Sequence, residues 1–98
     1  MDDRELAAAV LQAFLADAPL QLDQLRARLA EQDAPGARLC AHTLKGAAAN
    51  VGGEALRQAA SAIETAAAAG GLAEASRSVP DLEAKLIELK HAIEEEWR

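Results

Sequence analysis

Apolar residues recur along this chain at helical intervals, in five blocks separated by short polar or glycine-bearing breaks. Leu6, Val10 and Phe14 repeat at i, i+4, i+8, and Leu22, Leu25 and Leu29 at i, i+3, i+7. In the third block, about residues 34–51, a step of about 100° per residue gathers Ala37, Ala41, Leu44, Ala48 and Val51 into one arc. Leu56, Ala60, Ile63 and Ala67 form the stripe of the fourth block, and Leu82, Leu86, Leu89, Ile93 and Trp97 that of the fifth. This is the spacing of amphipathic helices, not the alternation of strands.

The breaks carry helix-boundary chemistry. Asp17-Ala18-Pro19 reads as a stop followed by a capped start, because a carboxylate accepts from free N–H groups and proline tolerates a first turn. Residues 33–36, Asp-Ala-Pro-Gly, repeat the device. Val51-Gly52-Gly53 and Ala69-Gly70-Gly71 supply the permissive backbone of helix ends, with Gly53 only loosening its turn. Ser78-Val79-Pro80-Asp81 predicts a kink or a short break. With connections this short, neighbouring helices run antiparallel. The pattern predicts one all-α domain over residues 1–98: an up-down antiparallel four-helix bundle with a short additional N-terminal helix. The repeated Asp-Ala-Pro is turn chemistry and not a duplicated domain, since the flanking segments do not otherwise match.

Composition agrees. Half the chain is hydrophobic, 51%, but with one Phe, one Trp and no Tyr. Apolar β-branching is confined to Val10, Val51, Val79, Ile63, Ile87 and Ile93. A thin core of close-packed alanine-rich helices follows, in a chain that suits no sheet. The net charge of −6 argues against a nucleic-acid or anionic-membrane surface. No apolar run approaches the roughly 20 residues of a membrane span, and the acidic start Met1-Asp2-Asp3 is the opposite of a signal peptide's basic end. The single cysteine, Cys40, excludes an internal disulfide and is compatible with a reducing compartment, so a cytoplasmic monomer is expected.

Candidate chemistry sits in HTLKG, residues 42–46. On the helical wheel His42 points away from the apolar arc, with Arg38, Lys45, Gly46 and Ala49 within about 60° of it. A lone histidine is ordinarily a surface or satisfied residue, but here the neighbours bear on the reading. Lys45 lies one turn on and can balance an anion carried by His42. Gly46 costs about 1 kcal/mol relative to alanine in a helix that uses alanine freely at positions 47–49, which implies a close approach to the backbone there. Phosphorylation of the imidazole fits. A neutral ring nitrogen is a nucleophile near neutral pH, and a lysine offsets charge on transferred oxygens. No metal ligand set, Walker loop or nucleotide site accompanies it, so no cofactor is expected.

The run AHTLKGAAANVGGEAL, residues 41–56, resembles the signature of histidine-containing phosphotransfer (HPt) domains, the helical bundles of two-component phosphorelays. FLADAPLQLDQLRARLAEQD, residues 14–33, is similar to the family's first two helices, and the likeness extends over nearly the whole chain. The resemblance implies that His42 is the phospho-acceptor, that Lys45 steadies the phosphoryl group, and that Gly46 leaves room for a partner. Arg38, Leu39, Gly46 and Ala49 would form the docking face for a response-regulator receiver domain, whose aspartate and Mg²⁺ supply the catalysis. A sensor or hybrid histidine kinase is the other implied partner. In related modules of chemotaxis kinases a glutamate at the spacing of Glu64 takes the imidazole Nδ1 proton. Glu64 is thus a candidate for orienting His42, or else an ordinary solvated charge.

His91, flanked by charge, reads as a surface residue, Asn50 as serving a helix end, and Cys40 as a small hydrophobe bordering the core. Residues 94–97, Glu-Glu-Glu-Trp, read as a solvated face around a packing Trp97. Two alternatives stay open. A degenerate adaptor would dock receivers without accepting phosphate, although it needs neither His42 nor Lys45. An acceptor domain of a larger hybrid or chemotaxis-type histidine kinase shares the chemistry and differs in what is attached. A metal-binding bundle is disfavoured, because its Glu-x-x-His helix motif is missing.

Overall fold

The computed structural model describes residues 2–97, which contain four helices and no strand. These are α1 (Asp3–Ala30), α2 (Ala34–Asn50), α3 (Glu54–Ala68) and α4 (Leu72–Glu96), joined by residues 31–33, 51–53 and 69–71. Connections of three residues cannot cross the bundle, so each helix folds back beside its predecessor, and α4 closes the ring against α1.

The separate N-terminal helix expected from the sequence is not present. α1 runs unbroken through Pro19. An interior proline costs about 3 kcal/mol in a helix, yet Phe14, Ala18, Leu22, Leu25 and Leu29 are all buried as one continuous stripe across it. Breaking the helix at Pro19 would put its two halves out of register with that stripe. Pro19 itself is exposed, where water can reach the carbonyl its ring leaves without an N–H. Asp17 therefore caps nothing. Pro80 tells the same story: α4 continues through it, with Ala75, Val79, Leu82, Leu86 and Ile93 buried on one side. Ser78 is not the cap of a restarted helix. Its hydroxyl donates back to the Glu74 carbonyl at 3.2 Å, the bonding of serine within a helix.

Local chemistry behaves as expected at the other boundaries. Asp33 caps α2 by accepting from the Gly36 N–H at 3.0 Å, with Pro35 in the first turn. Gly52 and Gly70 adopt φ of 71° and 78°, the left-handed conformation that ends α2 and α3. Gly53 does more than loosen the turn. A methyl group there would sit 2.6 Å from Leu89 Cδ2, so the missing side chain lets α4 pack against the turn.

The core is aliphatic and small. Leu25, Leu44, Leu56, Ile63 and Leu82 are its largest fully buried side chains. α2 and α3 meet largely through alanines, with Ala37, Ala41 and Ala48 on one helix and Ala60, Ala66 and Ala67 on the other. Such residues place helix axes toward the short end of the usual 8–10 Å separation, which decides what side chains at the α2–α3 seam can reach.

The helices differ in length, and this corrects a second expectation. Along the stripe Leu6–Val10–Phe14, exposure falls from 54% through 43% to 5%. Leu6 and Val10 keep the right spacing for the core but lie beyond the end of α2. At the far end Arg4 stacks on Trp97, its guanidinium carbon 4.4 Å from the ring centroid, tying α1 to α4.

Candidate functional site

His42 lies at the middle of α2 and Glu64 on α3, facing each other across the alanine seam. The imidazole Nδ1 is 2.7 Å from Glu64 Oε2. Lys45, one turn on from His42, places its Nζ 2.6 Å from Glu64 Oε1. One carboxylate thus serves two partners, one through each oxygen.

Exposure sorts the three roles. The His42 side chain is 58% accessible, Lys45 29% and Glu64 16%. The imidazole faces solvent while the carboxylate paired with it is sheltered. The Lys45 ammonium, then burial acting in the opposite sense, then His42 set the titration of Glu64, and the net effect is a pKa below the ordinary glutamate value. Glu64 is therefore an anion at neutral pH. An anion only accepts, so the proton shared with His42 resides on Nδ1, and Nε2 carries the free lone pair. Nε2 has no hydrogen-bond partner among the described residues.

The linked prediction has a definite sign. A carboxyl whose folded pKa is depressed adds stability above its unfolded value, near 4.3, and loses it as pH falls through the lower folded value. Followed by carboxyl carbon NMR, Glu64 should titrate below about 4.3. Lys45→Ala should move it back up toward that value. A titration unmoved by Lys45→Ala would show that the ion pair does not hold the carboxylate down.

The remaining residues singled out from the sequence fall around His42. Arg38, Leu39, Gly46 and Ala49 are all exposed on α2, Leu39 by 58%. Thr43 fastens its hydroxyl to the Leu39 carbonyl at 3.0 Å. A Cβ added to Gly46 would meet nothing within 4 Å. No contact inside the protein accounts for glycine there. His91 and Asn50 are exposed, and Cys40 is half-buried against the core, its thiol pKa raised by burial. The Lys45–Glu64 ion pair was not foreseen: α2 spacing placed Lys45 near His42, but the α3 register that brings a carboxylate to both is a tertiary fact. Among the described residues no helix is long and apolar enough to cross a membrane, and no three His, Cys, Asp or Glu side chains cluster as a metal site.

Neither a curated protein nor a solved structure matches the chain. The family model of the Hpt domain matches residues 9–95, nearly its whole length.

Proposed function

The chain belongs to the Hpt domain family, whose members carry phosphoryl groups on histidine in phosphorelays, and from that membership we propose His42 as the acceptor. The observation that carries this reading is the state of the ring: solvent-facing, Nδ1 held by an anionic carboxylate, Nε2 unpartnered.

Nε2 attacks the phosphorus of a receiver's aspartyl phosphate in line; the N–P bond forms as the P–O bond to the aspartate breaks, and the aspartate leaves as carboxylate. The ring keeps its Nδ1 proton and becomes a phospho-imidazolium, whose positive charge Glu64 faces directly. Lys45, already at the edge of the site, meets the transferred oxygens. The reverse sequence delivers the group to a second receiver, and a sensor or hybrid kinase is the alternative donor. Arg38, Leu39, Gly46 and Ala49 form the docking face, Leu39 as its apolar contact and Gly46 as its point of closest approach. An adaptor that merely docks receivers would leave the joined His42, Glu64 and Lys45 side chains without a use.

The test is incubation with a panel of phosphorylated receivers. The expected product is a label on the chain that is lost in acid and kept in base, as phosphohistidine requires. A chain that no receiver labels, or a label stable to acid, refutes the reading. Glu64 has its own test with a small donor such as phosphoramidate. Glu64→Ala should slow phosphorylation by roughly fivefold, the value of one hydrogen bond of about 1 kcal/mol at a partly exposed site. Glu64→Gln, whose amide oxygen still accepts from Nδ1, should stay within about twofold of the wild type. Equal rates in all three chains would leave Glu64 as a solvated charge.

A further inference from the structure

Two cations lie within a turn of His42 on α2, and they are held differently. Lys45 places its Nζ 2.6 Å from Glu64 Oε1, while the other oxygen of that carboxylate lies 2.7 Å from His42 Nδ1. Arg38, one turn before His42 on the same face, is exposed and makes no ion pair among the described residues. The remaining charges of α3, Glu54 and Arg57, pair with each other at 2.5 Å. One cation beside the acceptor is thus committed to a carboxylate and the other is not. The shape of an imidazole makes this matter. Its two nitrogens face apart, so the edge that meets Glu64 is opposite the edge that would carry a phosphoryl group. An ammonium seated on Glu64 Oε1 sits on the Nδ1 side of the ring.

We propose that Glu64 and the phosphoryl group compete for Lys45: the carboxylate withholds the lysine, which reaches the phosphoryl oxygens only by giving up that ion pair. The proposal rests on His42 as the acceptor and adds a second task to Glu64, that of a positioning residue acting through Lys45. The width of the ring separates the two anions, so one ammonium serves one of them at a time. Glu64 keeps the Nδ1 proton opposite it throughout, and no covalent bond changes in the exchange.

The two ends of the exchange are closely matched. A phosphoryl group brings nearly two negative charges, but into open solvent, where an ion pair contributes little. Glu64 brings one charge in a sheltered place, where water competes less for the lysine. What Lys45 gains at one anion is offset by what it loses at the other. A carrier has a use for that balance. A cation clamped on the phosphoryl group would lower the energy of the phosphorylated form and hold back onward transfer. Competition from Glu64 limits that stabilisation, and the group remains easy to surrender.

The test is a double-variant cycle on the phosphorylated chain itself. Phosphoramidate labels exposed imidazoles, so every chain carries His91→Gln, which leaves His42 as its only histidine. A cation against a phosphoryl group lowers the pH of its second ionisation, which phosphorus-31 NMR follows. Lys45→Met removes the ammonium and keeps an apolar stem. With Glu64 in place, the midpoint should rise by about 0.2 unit or less. In the Glu64→Gln background the lysine has no carboxylate to return to, and Lys45→Met should raise the midpoint by about 0.7 unit, a fivefold change in proton affinity. Arg38→Met is the control: uncommitted to any carboxylate, it should act equally in both backgrounds.

Equal Lys45→Met effects in the two backgrounds overturn the competition. A smaller effect in the Glu64→Gln background also overturns it, because Glu64 then presents the lysine to the phosphoryl group. An Arg38→Met effect that grows along with that of Lys45→Met does the same, since it marks a general change of field. A chain that phosphoramidate leaves unlabelled removes the acceptor and the competition together. A chain that phosphoramidate labels and no receiver labels refutes the phosphorelay reading alone, and the midpoints still decide between Glu64 and the phosphoryl group.

Discussion

Replacing His42 with glutamine should abolish phosphoryl acceptance, by at least about a thousandfold, while leaving the bundle as stable as before. The loss should be complete because an amide has no nucleophilic lone pair, and the Lys45 amine one turn on is paired with Glu64. The fold survives because His42 takes no part in the core: Ala41 and Leu44, buried at its sides, face the opposite way. Glutamine is also a good helix former and retains an N–H donor for Glu64. Melting temperature and helicity should match the wild type, with a stability change within about 0.5 kcal/mol. Labelling of His42→Gln by receivers would move the acceptor to another residue, and His91 would be the one to examine. A large fall in melting temperature would instead give His42 a packing role that its exposure contradicts.

Gly46→Gln should separate stability from partner recognition. The substitution removes a helix penalty of several tenths of a kcal/mol and meets no atom of its own chain, so the isolated domain should be no less stable. The new side chain projects about 40° from His42, across the approach of a receiver. Transfer from a phosphorylated receiver should fall at least about tenfold, equivalent to roughly 1.4 kcal/mol of lost transition-state stabilisation. Phosphoramidate should phosphorylate His42 at the wild-type rate, since no protein needs to dock. An unchanged receiver reaction would place Gly46 outside the interface. Failure of the small donor as well would show that the site itself had been disturbed, and the double measurement distinguishes the two.

What the sequence made legible divides along the line between local and tertiary information. The arc of Ala37, Ala41, Leu44 and Ala48 is a property of one helix, and it placed His42 and Lys45 on the opposite side correctly. Asp33 and Pro35 start α2 by chemistry that acts within four residues, and they too were readable. Asp17 and Pro19 present the same local chemistry, yet no helix starts there. The choice was made by the stripe from Phe14 to Leu29, whose burial depends on helices far away in sequence. Leu6 and Val10 had core spacing, but spacing cannot say where a neighbouring helix stops. The pairing of Glu64 with His42 rested on resemblance, because an interhelical register is invisible in either helix alone. Gly53 looked like slack until Leu89 was seen against it.

Trp97 is the only tryptophan in the chain, and it sits at the end of α4 with Arg4 of α1 across its ring. Its emission is therefore a local probe. Helix termini open with free energies near zero, whereas exposing Leu25, Leu44, Leu56, Ile63 and Leu82 requires the whole bundle to come apart. On heating, the fluorescence of Trp97 should change while far-ultraviolet circular dichroism still reports an intact bundle, so that the two curves do not superimpose. Non-coincident probes are the usual sign of a populated intermediate, but in this protein the gap measures fraying at one end, and cooperativity has to be judged from a signal placed near Leu44.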